Sequence, residues 1–171
     1  WLLGCLERSQ LSPAHLVVEI TESTAIQDLD RTTRVLWQLR EAGLKVLMDD
    51  FGTGHSSLVA LHQLPIGGLK LDRTLLLAAE RHPALLQTVV ALANSLGLTV
   101  TAEGIETEAQ CGRVASVGCN FAQGFIFERP VEAGQAAEII VGNQRWLPDL
   151  LAPTATLVGS RSRRPVLESV G

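Results

Sequence analysis

The sequence predicts an α/β fold built around a parallel β-sheet. Five short stretches are apolar or rich in β-branched residues and are bounded by turn signals, which is typical of buried strands. Helical patterns lie between them, and this alternation indicates right-handed βαβ units. Hydrophobic residues make up 46% of the 171 residues and aromatic residues only 4%, so we expect an aliphatic core. An open doubly wound sheet and a closed (β/α)8 barrel both fit this pattern.

The predicted strands and helices follow one another at a regular spacing along the chain. The strands are Leu16–Ile20, Leu44–Met48, Gly68–Leu71, Leu98–Ala102 and Asn120–Phe127. Helices are predicted in 30–43, 56–64, 84–97 and 107–118, with a further helix in 131–142. The first of these helices has Val35, Leu36 and Leu39 on one face, and Gly43 is typical of a helix end.

Composition and charge argue against several classes of protein. A formal net charge of −4 disfavours electrostatic binding of a nucleic-acid polymer. The three cysteines form no CxxC pair, so neither a disulfide framework nor a zinc site is indicated. No apolar run reaches the roughly 18 residues of a membrane span. We expect a cytoplasmic segment without membrane contact of its own, and a chain that opens at Trp1 is expected to be part of a longer protein.

The chain divides into two regions of different character. Residues 1–145 carry all the predicted strands, whereas residues 146–171 contain three prolines and small polar residues without clear periodicity. We predict a folded domain over 1–145 and a flexible tail over 146–171. The tail also carries an arginine cluster, Arg161, Arg163 and Arg164, which could contact an anionic partner or simply be solvated.

Charged or amide side chains stand at the carboxyl end of every predicted strand. Parallel α/β folds, and barrels above all, place their chemistry at this rim. Taken alone, each of these residues has an ordinary structural explanation: a carboxylate at a solvated strand end, a lysine at the surface, or an amide that holds a loop. The presence of such residues at the same end of all five predicted strands indicates a functional site instead. In strand order they are Glu19, Asp49 with Asp50, Lys70, Glu103 and Gln123.

Four carboxylates and one lysine leave an excess of negative charge at this rim, which a metal ion would balance. Oxygen donors without Cys or His favour Mg²⁺ or Mn²⁺, with Ca²⁺ as an inhibitory competitor. The adjacent Asp49 and Asp50 let one carboxylate bridge two ions while its neighbour binds the second. Two ions ~3.5–4 Å apart are the arrangement used for in-line attack on phosphodiesters. Gly52 and Gly54 then predict a loop that moves with metal and substrate.

Five ordered motifs between residues 16 and 130 resemble those of the EAL domain of bacterial cyclic-di-GMP phosphodiesterases. They are "EITES", "DDFGTGHSSL", "KLDRT", "AEGIET" and "GCNFAQGFIFERP". The resemblance implies a modified (β/α)8 barrel, of which this chain supplies the C-terminal five βα units, strands four to eight. It also implies hydrolysis of cyclic-di-GMP to linear pGpG with two Mg²⁺ or Mn²⁺ ions.

The resemblance further implies a role for each residue at the rim. Asp49 would be the carboxylate that bridges two ions, and Lys70 would orient or help to deprotonate the nucleophilic water. Gln123 would make a hydrogen bond near the second metal. The metal ligands would be Glu19, Asp49, Asp50 and Glu103.

A mobile loop follows the two aspartates in the same family pattern. Its residues would include Gly52, Thr53, Gly54 and Ser56. Glu22, the second glutamate of "EITE", would anchor this loop and so tie metal binding to the loop's position.

Part of the family pattern is absent from this chain. The Glu-Ala-Leu segment that names the family lies on an earlier strand, as does an asparagine ligand on the strand after it, and neither is present here. We therefore expect residues 1–171 alone to be inactive and to self-associate through open strand edges. For the intact protein the resemblance implies an upstream sensory or GGDEF domain, and a homodimer, as intact EAL domains often form.

Two other functions are compatible with the same residues. One is a catalytically inactive module that binds cyclic-di-GMP or a partner protein. The other is an aldolase-type barrel in which Lys70 forms a Schiff base, which requires a lysine of lowered pKa. Converging carboxylates would raise that pKa instead, so a metal-dependent phosphodiesterase is the leading prediction.

Overall fold

The computed structural model describes residues 1–53 and 58–141 of the chain. The predicted tail over 146–171 and the predicted loop residues Gly54 and Ser56 lie outside these ranges. The strands are β1 (Val17–Thr21), β2 (Lys45–Phe51), β3 (Gly68–Leu71), β4 (Thr99–Ala102) and β5 (Phe121–Ala122). The helices are α1 (Leu2–Arg8), α2 (Glu22–Gln27), α3 (Leu29–Glu41), α4 (Leu58–Gln63), α5 (Arg73–Arg81), α6 (Pro83–Ser95), α7 (Glu108–Ser116) and α8 (Ala133–Val141), with a short 3-10 helix at Pro13–His15. None of the helices in this part of the chain combines the length and apolar character that crossing a membrane requires.

The five strands form one parallel sheet in the order β1-β2-β3-β4-β5. Each strand pairs with the next along the chain, so every crossover advances in the same direction. A doubly wound sheet would reverse its strand order at a switch point, and no reversal occurs among the described strands. The predicted parallel α/β architecture is confirmed, and the strand order is that of a segment of a (β/α)8 barrel. Within the described residues β1 and β5 are the two edges.

Helices cover one face of this sheet and complete an aliphatic core. The sheet contributes one row of side chains from each central strand, and the helices contribute their apolar faces. Burial of each large aliphatic side chain contributes about 1.5–3 kcal/mol. The most deeply buried large side chains are Val46, Met48, Leu69, Leu71, Leu86, Val90, Val100 and Ile105.

Strands β3 and β4 approach each other closely at Gly68. A Cβ at this position would collide with the hydroxyl of Thr99 and lie 2.6 Å from the Thr99 carbonyl oxygen. The Thr99 backbone N–H and hydroxyl both donate to the Gly67 carbonyl at 3.1 Å. Glycine at position 68 therefore lets β4 lie flush against β3, and this sets the spacing of the residues that follow on both strands.

The predicted extent of the fifth strand, Asn120–Phe127, is wrong, because the strand comprises only Phe121–Ala122. Beyond these two residues the backbone pairs with the loop after β4. The Ile105 N–H donates to the Gln123 carbonyl at 3.0 Å, and the Ile126 N–H donates to the Ile105 carbonyl at 3.1 Å. The chain turns around Ile105 instead of continuing as a strand, although its residues are apolar enough for one.

Helices α1, α2 and α5 were not predicted from the sequence. Asp72 is the N-cap that precedes helix α5, and its carboxylate accepts the Thr74 N–H at 2.7 Å. A second hydrogen bond, from the Thr74 hydroxyl, is the main reason that the pKa of Asp72 is lowered. The capping aspartate before the buried stripe Leu75, Leu76 and Ala79 was a usable signal for this helix.

Candidate active site

Lys70 lies at the centre of a cluster of carboxylates. Its Nζ is 2.7 Å from Glu19 Oε2, 2.8 Å from Glu103 Oε1 and 3.1 Å from Asp49 Oδ1. Four consecutive strands supply these residues, because Glu103 directly follows β4 and the others lie within β1, β2 and β3. The structure thus brings together four of the six residues predicted for the rim.

The strand register explains why these side chains meet. Residues paired across parallel strands point to the same face of the sheet, as do residues two apart along one strand. Thr21 pairs with Asp49, so Glu19, two residues before Thr21, shares the face of Asp49. Lys70 pairs with Thr101, which stands two residues before Glu103, so Glu103 shares the face of Lys70. All four charged side chains therefore project from the face opposite the helices.

A β-bulge accommodates two adjacent aspartates at the end of β2. The pairing of β2 with β3 is regular up to Met48 and resumes at Phe51, so Asp49 and Asp50 together lie opposite Lys70. Asp50 has a φ of +56°, a left-handed conformation that aspartate adopts more readily than most residues. The extra residue lets Met48 and Phe51 both stay buried in the core while both carboxylates lie outside it.

The carboxylates keep Lys70 charged. The Lys70 side chain is only 11% exposed, and this burial would lower its pKa. The contacts with Glu103, Glu19 and Asp49 outweigh burial and raise the pKa of Lys70 above its ordinary value. Burial raises the pKa of Glu103, and Lys70 offsets part of that effect. An ammonium fixed by three ion pairs does not suit a Schiff base, which needs an unprotonated amine.

The donor chemistry of this cluster fits a divalent metal ion. All its acidic donors are carboxylate oxygens, which Mg²⁺ and Mn²⁺ prefer. Asp49 Oδ1 is buried, and the Lys70 ammonium 3.1 Å away pairs with it by charge without meeting hydrogen-bond geometry, so this oxygen keeps lone-pair capacity for a metal ion. Among the same residues, no three His, Cys, Asp or Glu side chains are grouped to hold one ion. The carboxylates of Glu19, Asp49 and Glu103 surround the Lys70 ammonium instead.

Gln123, the sixth predicted rim residue, is fixed through its backbone. It directly follows β5, and its N–H donates to the Ala102 carbonyl at 2.8 Å. Its carbonyl accepts the Ile105 N–H at 3.0 Å. Its side chain makes no hydrogen bond within residues 1–53 and 58–141. The structure therefore positions Gln123 beside the loop after β4 but does not bring its amide into the ion-pair cluster.

The predicted loop anchor and the start of the loop flank the same rim. Glu22 is the first residue of α2 and is only 5% exposed, so it is not a solvated strand end. The loop after β2 begins with Gly52 at a φ of +103°. The Thr53 hydroxyl and N–H then donate to the Asp50 carbonyl at 2.9 and 3.3 Å. The first turn of the loop is thereby closed onto the bulge that carries the aspartates.

A second ion pair beside the cluster was not predicted from the sequence. Arg73 Nη2 lies 2.7 Å from Glu106 Oε2. Arg73 stands three residues after Lys70, and Glu106 stands three residues after Glu103. The equal spacing in "KLDR" and "EGIE" was the available signal, but opposite charges at equal spacing become meaningful only once β3 and β4 are known to be neighbours.

A parallel barrel-type sheet with charged side chains at the carboxyl ends of its strands places this chain among the α/β barrel domains, which carry their functional sites at that rim. The family model of the EAL domain matches residues 1–130, and the chain belongs to this family. The bifunctional diguanylate cyclase/cyclic di-GMP phosphodiesterase MucR of Pseudomonas aeruginosa is 45% identical over 135 residues, which are 77% of this chain and 20% of MucR. The cyclic di-GMP phosphodiesterase NbdA of the same organism is 37% identical over 138 residues, 79% of this chain and 18% of NbdA. The chain thus spans about a fifth of the length of these relatives.

Solved structures show the same fold. The MucR phosphodiesterase in complex with c-di-GMP matches with a TM-score of 0.74 and 42% identity, over 79% of this chain and 56% of that chain. A manganese/cyclic-di-GMP complex of Klebsiella pneumoniae BlrP1 matches with a TM-score of 0.71 and 37% identity, over 76% of this chain and 34% of that chain. BlrP1 has also been solved with calcium and cyclic-di-GMP. The predictions of EAL-family membership and of a TIM-barrel-like fold are confirmed.

Proposed function

We propose that this chain is the C-terminal part of a phosphodiesterase domain that hydrolyses cyclic-di-GMP to linear pGpG. The observation that carries the proposal is the cluster in which Glu19, Asp49 and Glu103 surround Lys70 at the carboxyl ends of the strands. Support comes from relatives that are named cyclic di-GMP phosphodiesterases and from the c-di-GMP complex of MucR.

Two divalent ions, Mg²⁺ or Mn²⁺, would be held by the acidic residues, with Asp49 shared between them. The oxygen donors, the buried Asp49 Oδ1 and the manganese complex of BlrP1 support this assignment. The bound ions would supply positive charge that activates a water and stabilises the oxygens of the phosphodiester. Ca²⁺ would compete and inhibit. The proposed ligands are Glu19, Asp49, Asp50 and Glu103.

Lys70 would orient the attacking water. An ammonium has three N–H donors and no acceptor, so once the carboxylates bind the ions it would donate an N–H to the water but could not take the water's proton while charged. The side chain is anchored among carboxylates from the strands on both sides, which limits its freedom. Gln123 would add a hydrogen bond near the second ion. Glu22 would anchor the loop that begins at Gly52.

The chain would provide the last five βα units of the barrel. Its match to 56% of the MucR phosphodiesterase chain supports this division. The signature glutamate and the asparagine ligand would then come from strands outside residues 1–171. A sensory or GGDEF domain, a homodimer and a cytoplasmic location belong to the same proposal.

The test is an assay of cyclic-di-GMP hydrolysis by the complete polypeptide that carries this sequence. Products are separated by chromatography after incubation with Mg²⁺, Mn²⁺, Ca²⁺ or a chelator. We expect pGpG with Mg²⁺ or Mn²⁺ and none with Ca²⁺ or the chelator. Binding of cyclic-di-GMP without any product under all four conditions would instead identify a catalytically inactive binding module.

A further inference from the structure

Two ion pairs join β3 and the start of α5 to the segment that follows β4, each with its basic residue on the β3 side. The inner pair is Lys70 with Glu103 at 2.8 Å, and the outer pair is Arg73 with Glu106 at 2.7 Å. Each partner of the outer pair stands three residues beyond its counterpart in the inner pair. We infer that Arg73 and Glu106 form a positioning strap that fixes Glu103 relative to Lys70, an inference that rests on the proposed function.

The stem of Arg73 also covers the backbone next to Glu103. Gly104 has a φ of +68°, and a Cβ there would lie 2.8 Å from Arg73 Cβ and 3.0 Å from Arg73 Cγ. Only glycine fits beneath this stem in that conformation. The packing of the stem and the ion pair of its head with Glu106 therefore act on one short turn, and Glu103 is the residue at its start.

Both partners of the strap are attached to well-held elements. Arg73 is the first residue of α5. The Glu106 N–H donates to Gln110 Oε1 at 2.9 Å, and Gln110 belongs to the capping box of α7. At the other end of the turn, the Glu103 N–H donates to the Leu71 carbonyl at 3.0 Å. The strap thus ties the start of α5 to the start of α7, with the turn that carries Glu103 between them.

Because Arg73 and Glu106 are well exposed to solvent, their role in positioning Glu103 can be tested separately from the stability of the fold. The side chains of Arg73 and Glu106 are 49% and 40% exposed. Ion pairs this exposed contribute little to folding, because solvent screens them and ordering two long side chains costs entropy. Breaking the strap should therefore leave the fold intact and change the placement of Glu103.

The chain offers a matched control in a second ion pair, which links α5 directly to α7. Arg113 Nη1 of α7 lies 3.9 Å from Glu80 Oε1 of α5, and both side chains are similarly exposed. This pair lies further along both helices from the strand ends. Its loss removes one charge contact between α5 and α7 without touching the turn at Glu103.

The experiment compares Arg73→Ala, Arg73→Lys and Glu106→Gln with Arg113→Ala in the complete polypeptide. We expect kcat for cyclic-di-GMP to fall about ten- to hundredfold in Arg73→Ala and Glu106→Gln, because misplacing a catalytic group by about 1 Å has effects of this size. KM should change by less than about twofold, since the interaction lost is with no part of the substrate. Arg73→Lys, which keeps the charge and much of the stem, should retain more activity than Arg73→Ala.

Amide hydrogen exchange provides a readout that does not depend on turnover. Exchange in residues 103–106 should be faster in Arg73→Ala than in wild type and unchanged in Arg113→Ala. Equal exchange in the two variants would overturn the strap, whether or not the wild-type protein hydrolyses cyclic-di-GMP. Equal losses of kcat in Arg73→Lys, Arg73→Ala and Arg113→Ala would also overturn it, whereas a wild-type protein inactive with Mn²⁺ would contradict the proposed function alone.

Discussion

Lys70 donates a hydrogen bond to Glu19 at 2.7 Å across 51 residues of chain and over the strand that lies between them. Strands two apart in a flat sheet are separated by about 9–10 Å, so the two side chains have to reach over β2 to meet. Asp49 of β2 lies beneath this contact and is 3.1 Å from the same ammonium. One lysine therefore serves as the counter-ion of acidic residues from three other strand ends.

Replacing Lys70 by Ala should reduce turnover far more than substrate affinity. A residue that positions or activates the attacking water is typically worth ~10²–10⁴-fold in rate. Steady-state kinetics of the complete polypeptide with saturating Mn²⁺ will separate the two effects. If KM rose while kcat held, Lys70 would be a contact to the phosphate of the substrate and not to the water.

Replacing Lys70 by Met should destabilise the metal-free protein. The change leaves three partly exposed carboxylates facing one another without their cation, and because solvent reaches them the loss should stay below the roughly 3–5 kcal/mol of a fully buried ion pair. Urea unfolding in the presence of a chelator measures the loss, and adding Mn²⁺ should restore part of it. Lys45→Met is the control, because Lys45 is an exposed lysine of the neighbouring strand that forms no ion pair within the described residues and whose ammonium lies 5.8 Å from the centre of the Phe121 ring. Equal losses in the two variants would argue against the counter-ion role.

Replacing Gly68 by Ala should reduce the free energy of unfolding by about 1–3 kcal/mol, as overpacking of a close contact generally does. The new Cβ would meet the hydroxyl and carbonyl of Thr99, and relief would require β3 and β4 to separate. Gly112→Ala, within α7 and with open space around the site, should stabilise by about 0.5–1 kcal/mol. Chemical denaturation of the two variants checks both signs. A harmless Gly68→Ala would mean that the spacing of β3 and β4 tolerates adjustment.

Replacing Glu22 by Ala should loosen the loop after β2 while leaving the barrel folded. If this buried glutamate anchors the loop, amide exchange in residues 52–57 should accelerate and the apparent affinity for Mg²⁺ should weaken. Hydrogen exchange and a Mg²⁺ titration of activity measure the two effects. Unchanged exchange in that loop, together with a lower melting temperature, would assign Glu22 to α2 packing only.

Much of the site was predictable because parallel strands all end at one rim. The strand positions of Glu19, Asp49 and Lys70, with Glu103 directly after the fourth strand, were sufficient to predict that these side chains converge. Predicted strand Gly68–Leu71 has the same bounds in the structure. Apolar periodicity and turn residues are local signals, and they determine where a strand occurs and which side chain stands at its end.

Features that depend on distant neighbours were not predictable. The bulge at Asp50 arises from the register between β2 and β3, which no local pattern encodes. The early end of β5 depends on the loop around Ile105, which takes the backbone hydrogen bonds that a longer strand would have used. The pairing of Arg73 with Glu106 joins residues 33 positions apart, one at the start of α5 and the other in the loop after β4. Each follows from tertiary contacts that override a local preference.

The central claim is that this acidic cluster is the catalytic centre of a metal-dependent phosphodiesterase. The turnover of cyclic-di-GMP by Asp49→Asn tests it most directly. Asparagine keeps the shape of the side chain but removes its negative charge. The carboxylate of Asp49 pairs with Lys70 and would be shared between the two ions. The account predicts a loss of at least about 10²-fold in kcat with saturating Mn²⁺. Asp30→Asn, at an exposed position of α3, should retain wild-type turnover. Near-normal turnover by Asp49→Asn, with the fold intact by circular dichroism, would contradict the account.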